Sequence, residues 1–169
     1  MKPVTTTTTK AGNTVATRSI IAKQQGDTWA GRYAHWDGYP THQARSIWEI
    51  VQRDGWEQAS KTFVDDHFYW SVVRPWQGNE PAEEARWNVV VGYGITGNEL
   101  QADPNEWYTP ENYKDSWCDY VYVIAKAGLM VIDIYKDEIL GLFRWDEAEP
   151  DWQDVQDAPY REEGEEVTL

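Results

Sequence analysis

The chain has 169 residues and a formal net charge of −14, with 11 Trp and 10 Tyr against 3 Phe and one cysteine. That length suits one domain able to bury an ordinary core. The lone Cys118 excludes an internal disulfide and a cysteine-based zinc site, and no apolar run of about 18 residues or signal-type segment appears, so a cytoplasmic protein without membrane contact is expected.

In chain order, residues 1–14 hold the run Thr5-Thr6-Thr7-Thr8-Thr9 and predict a disordered arm. The β-branched run from Val15 to Ala22 predicts a strand, Gln25-Gly26-Asp27 a turn, and Thr28 to Trp36 the returning strand of a hairpin. Gly31 inside that strand marks a bulge or a close backbone approach. Next comes Tyr33-Ala34-His35-Trp36-Asp37-Gly38-Tyr39-Pro40, a block crowded with aromatic rings, an imidazole and a carboxylate. Thr41 then fits a helix N-cap. Ala44, Ile47, Trp48 and Val51 form one apolar helical stripe, and Gly55 ends it. A second helical run carries Trp56, Ala59 and Phe63 on one face, and residues 74–85 read as a loop.

A third strand is expected from Trp87 to Val91, closed by Gly92-Tyr93-Gly94, and residues 97–117 read as irregular. Tyr120–Ile124 and Leu129–Ile134, flanking Lys126-Ala127-Gly128, give the clearest hairpin of the chain. The expected fold is therefore α+β: a mainly antiparallel sheet, built from an N-terminal and a C-terminal hairpin, packed on two helices over residues 15–145. Residues 146–169 are read as an acidic flexible tail. From Trp145 onward there are 10 acidic and 1 basic residues, a net of −9, which leaves −5 for the body. Charge gathered in a tail suits solubility or weak docking better than a rigid mimic of DNA phosphates, although an acidic DNA mimic blocking a host nucleic-acid-binding protein is the main alternative.

The block Tyr33–Pro40 resembles a signature, Y-x-H-W-D-G-Y-P, of small bacteriophage and prophage proteins, many of them actinobacterial. Val89-Val90-Val91-Gly92-Tyr93 and Asp119-Tyr120-Val121-Tyr122-Val123 match the strand and Tyr-rich hairpin that follow it in such proteins. Thr41-His42-Gln43-Ala44-Arg45 departs from the glycine-bearing turn often found there. The resemblance implies a phage accessory role in host takeover or anti-defence, in the host cytoplasm. It transfers no catalytic or ligand residue.

His35 and Asp37 alternate along an extended backbone, which places both on one face as an acid/base candidate of hydrolase type. The structural reading competes: Asp37-Gly38 is a turn pair and Pro40 ends the strand. On that reading Tyr33, Trp36 and Tyr39 anchor the junction between hairpin and first helix, with His35 and Asp37 hydrogen-bonded near the surface. A metal set drawn from His35, His42, His67, Asp37, Asp65 and Asp66 has no recognised ligand spacing. No phosphate loop, nucleophile elbow or cofactor motif is present. Ser19, Ser46, Ser60, Ser71 and Ser116 lack nucleophile context, and Cys118 beside Asp119 suits packing better than thiolate chemistry. Basic residues are too scattered to bind nucleic acid directly. Trp and Tyr are frequent binding hot spots, so the expected function is non-enzymatic. The chain would bind a host or phage protein or a small-molecule ligand, through a surface containing Tyr33, His35, Trp36, Asp37 and Tyr39.

Overall fold

The computed structural model describes residues 16–76, 88–158 and 169, so the Thr-rich arm of residues 1–14 lies outside the described residues. The described strands, in chain order, are β1 (Ser19–Gln25), β2 (Thr28–Ala34), β3 (Tyr69–Val73), β4 (Asn88–Val90), β5 (Gly94–Thr96), β6 (Tyr120–Ile124), β7 (Gly128–Asp133) and β8 (Glu138–Arg144). They form one sheet in the order β4-β5-β3-β2-β1-β6-β7-β8. Five of the strand pairs are antiparallel; β1 with β6 and β2 with β3 are parallel. The α+β fold class and both expected hairpins are present. The parallel pairing of Ser19–Lys23 with Tyr120–Ile124 joins the two hairpins into one continuous surface.

Alternation along the strands divides the core in two. Ile21, Tyr122, Ile124, Leu129 and Val131 face the helices and form one cluster with Ile47, Trp48 and Ile50 of the helix Gln43–Asp54, Phe63 of the turn Lys61–Asp65, and Trp70 of β3. Their neighbours Ile20, Ala22, Val121, Val123, Met130 and Ile132 face the other way, with Trp29 and Cys118. That second face is covered in part by the irregular segment 97–117, through Tyr108 and Tyr113.

Helix α1 (Gln43–Asp54) presents its apolar stripe to the sheet, and Gly55, at φ 87°, ends it. The cap position is His42 rather than the expected Thr41, and no side chain caps it. The preceding turn does that work, since Tyr39 C=O accepts from His42 N–H and Gln43 N–H at 3.0 and 2.8 Å. Helix α2 (Trp56–Ser60) widens into a π turn over Lys61–Asp65, closed by Asp66 N–H on Lys61 C=O at 2.9 Å. Side chains take up carbonyls of this turn: Trp70 Nε1–H donates to Phe63 C=O and Arg32 Nε–H to Val64 C=O, both at 2.9 Å.

The expected tail is corrected over part of its length. Helix α3 (Trp152–Gln156) opens on Asp151, whose carboxylate accepts from Gln153 N–H and Asp154 N–H. It buries Trp152 to 1% exposure against Trp48 and Phe143, so the folded body runs past residue 145. Burying an indole outweighs the repulsion of an acidic neighbourhood that stays solvated. The acidic residues at 159–168 lie outside the described residues.

Candidate ligand-binding site

The block Tyr33–Pro40 begins as the last residues of β2 and leaves the sheet through a left-handed corner. His35 N–H and Trp36 N–H continue the pairing by donating to Trp70 and Ser71 carbonyls at 3.0 Å each. Asp37 then takes φ 56°, which turns the chain. Gly38 follows because the chain passes too close for a side chain: a Cβ there would stand 2.7 Å from Thr17 O. Gly38 N–H donates to that same carbonyl, and Gly38 C=O accepts from the fully buried Tyr122 hydroxyl at 2.5 Å.

This corner separates the two residues expected to work as a pair. The left-handed turn at Asp37 breaks the alternation that would have aligned them. His35 Nδ1 lies 2.7 Å from the Tyr33 hydroxyl, and its ring stands edge-on to Trp36 with centroids 4.7 Å apart. Burial, seconded by the charge of Arg18, lowers the His35 pKa. The imidazole is therefore largely neutral near pH 7, and its tautomer decides whether Nδ1 accepts from Tyr33 O–H or donates to the phenol oxygen. Asp37 accepts instead from Arg74 Nη2 at 3.0 Å. Arg74 Nη1 and the Val73 carbonyl both crowd His42 Nε2, at 2.6 and 2.9 Å. That nitrogen serves only one of them, the guanidinium through its lone pair or the carbonyl through its proton.

The hypothetical metal set is likewise dispersed. Asp65 pairs with Lys23, Asp66 with Lys61 at 2.9 Å, and His67 with Glu99 at 3.1 Å. Cys118 is buried, and burial pushes its thiol up to about 11. Trp36 does not bury as a junction anchor; 38% of it is exposed. Tyr39 is half-buried beside His42, and burial followed by Asp37 raises its phenol pKa.

Tyr33 instead opens onto a cavity. Tyr33 and Tyr69 lie side by side in the parallel register of β2 and β3, with ring centroids 5.6 Å apart. Phe68 and Tyr108 complete the aromatic walls, and Ala102, Asp103 and Glu106 the remainder, around a space of about 260 Å³. The segment bearing Tyr108 is fixed to the sheet at Gly31. Gly31 and Tyr108 exchange both backbone hydrogen bonds, at 2.8 and 3.0 Å. A Cβ on Gly31 would stand 2.6 Å from Ile20 Cγ2, so the close approach expected there is between β1 and β2. Arg32 ties down the same segment from the helix side. Its Nη1 donates to Pro104 and Glu106 carbonyls at 2.9 and 3.0 Å, and its guanidinium lies 3.3 Å from the Trp107 ring centroid. Burial pushes the Tyr33 and Tyr108 phenols up to about 12, so both remain neutral donors at ordinary pH.

Sequence reasoning reached Tyr33 and missed Phe68, Tyr69, Asp103, Glu106 and Tyr108. Tyr69 and Tyr108 were visible only as further aromatic residues, and the Gly31 signal pointed to the right place without naming the partner. Three more rings are exposed at the same end of the sheet. Ser19 pairs with both Ala34 and Tyr120, and Tyr120 with Asp133, so these four form one transverse row. Trp36, Trp117 and Tyr135 stand two or three residues beyond it, with Trp117 86% and Tyr135 89% exposed. No protein family, curated protein or solved structure matches this chain. Among the described residues, no helix is long and apolar enough to cross a membrane.

Proposed function

We propose that this protein acts by binding rather than by catalysis, and that the cavity walled by Tyr33, Phe68, Tyr69 and Tyr108 receives part of its target. The observation that carries this reading is the cavity itself, where four aromatic residues line open space beside the block Tyr33–Pro40. Half-buried phenols of this kind supply large contact area at small entropic cost. The exposed Trp36, Trp117 and Tyr135 extend the same end of the molecule toward a macromolecular partner. With His35 held by Tyr33 and Asp37 held by Arg74, the residues of the enzyme alternative are committed elsewhere. In the phage setting implied by the block, the target is a host or phage molecule met in the cytoplasm.

The reading is tested by incubating the protein with bacterial host extract and recording retained species by native mass spectrometry. A species held by the parent chain and lost on Tyr108→Ala, with the melting temperature little changed, supports it. Retention unaffected by Tyr108→Ala contradicts it. A partner that depends on residues 159–169 and is released by modest salt would favour the DNA-mimic alternative instead.

A further inference from the structure

We infer that the Tyr33–Tyr69–Tyr108 cavity is selective for a quaternary or methylated ammonium group; this rests on the binding reading above and specifies its ligand chemistry. The lining joins four aromatic rings to two carboxylates, Asp103 and Glu106, and contains no cationic side chain. Aromatic rings attract cations through the ring quadrupole, and the two exposed carboxylates add a further attraction that solvent screens in part.

The carboxylates are free to serve. Glu106 is exposed and its side chain has no hydrogen-bond or ion-pair partner among the described residues, although its backbone carbonyl is taken by Arg32. Asp103 has one oxygen on Asn105 N–H at 2.8 Å and the other open. Two cations stand nearby, Arg32 and Arg18, and neither lines the cavity. Arg32 spends its donors on the Val64, Pro104 and Glu106 carbonyls, with Asp65 and Glu99 offsetting its charge. Arg18 lies beside Tyr33 and His35 but does not line the cavity.

Methylation is specified by the walls. A primary ammonium carries three N–H donors that each need an acceptor when desolvated. Among the lining residues the Tyr33 hydroxyl is already engaged with His35 Nδ1, and the remaining charged acceptors, Asp103 and Glu106, are exposed and hydrated, so they attract a cation without replacing every hydrogen bond a primary ammonium loses. A methylated ammonium has few or no N–H groups to satisfy and spreads its charge over methyls that pack on rings. The space of about 260 Å³ admits such a head group with part of its substituent. The head group would belong to a choline-like small molecule or to a methylated side chain of a protein.

The test is calorimetric titration of the full chain with choline, with its neutral isostere 3,3-dimethyl-1-butanol, and with a trimethyllysine peptide. Choline or the peptide should bind about tenfold or more tightly than the neutral isostere, the stronger of the two revealing the source. Tyr108→Leu, which keeps apolar volume and removes the ring face, should abolish that preference, and Glu106→Gln should weaken the cation severalfold while leaving the isostere unchanged. Equal binding of choline and the isostere overturns the ammonium inference and leaves an apolar ligand cavity standing. Failure of all three probes also overturns it, while a retained species lost on Tyr108→Ala would still uphold the binding reading.

Discussion

The two faces of the sheet use the same aromatic vocabulary in opposite ways. On the helix face, Trp48, Trp70 and Trp152 are buried. The indole N–H of Trp70 is taken by Phe63 C=O, and that of Trp152 by Glu149 Oε2 at 2.8 Å. On the other face, irregular backbone replaces helices as the cover, and the rings of Tyr33, Tyr69, Tyr108 and Tyr113 stay half-buried around open space. Helices pack their side chains into a sheet at regular spacing and close it. A loop pinned at a few points, here Gly31 and Arg32, cannot fill every hollow between its anchors. Both sides of the β-layer hold buried core, but only the side without helices leaves open space lined by half-buried rings.

The sharpest way to break this comparison is to attack the closed face. Trp152→Ala should destabilise the fold by about 3–5 kcal/mol, read in a denaturant titration, because a fully buried ring leaves a cavity that α3 alone cannot close. A chain that unfolds at the parental midpoint after this change would restore the flexible-tail expectation for residues 152–156. Next in size, Gly38→Ala should cost about 1–3 kcal/mol, since the new Cβ must displace either the block or the Thr17 carbonyl 2.7 Å away. Loss of that order would establish the corner as a rigid hinge between the faces.

A smaller effect belongs to pH. Burial lowers the pKa values of His35 and His42 below the usual 6.5 in the folded chain. For His42 the facing groups are Val73 C=O and Asp37, which oppose the shift, and Arg74 and Arg45, which assist it. The unfolded chain therefore binds protons first on acidification. Stability is fully present above pH 6.5 and falls as pH drops through that value toward the folded pKa values. The folding midpoint should decrease between pH 7.5 and 5.5, and His42→Gln should shrink the decrease. An unchanged pH dependence in that variant would remove His42 from the account. The smallest expected signal is chemical: Cys118, with its thiol pushed up to about 11 by burial, should resist alkylation in the native state and react once the chain unfolds.

Much of the frame was legible in the sequence because it is written locally. The β-branched runs around Gly26 and Gly128 specify their hairpins, and the spacing of Ala44, Ile47, Trp48 and Val51 specifies α1. β3 was not read because Tyr69–Val73 follows directly on a helical pattern with no Gly or Pro to divide them, and the division comes from the π turn and Asp66. α3 was hidden by composition, since Trp152 and Val155 are two apolar residues at helical spacing in a strongly acidic stretch. The cavity was illegible for a different reason. It draws on residues 33, 68–69 and 102–108, which only the β2–β3 register and the Gly31–Tyr108 bridge bring together. Within the block, Asp37 misled because alternation assumes an extended backbone, and that residue is left-handed.

The central claim, that Trp152 belongs to closed core on the helix face while Tyr108 lines open space on the other, is tested most directly by melting Trp152→Ala and Tyr108→Ala side by side with the parent chain. The account predicts a large fall in melting temperature for Trp152→Ala, of roughly 10 °C or more at the usual entropy of a domain this size, and a fall less than half as large for Tyr108→Ala. Equal falls for the two variants would make Tyr108 a core residue like any other and would contradict the division between the faces.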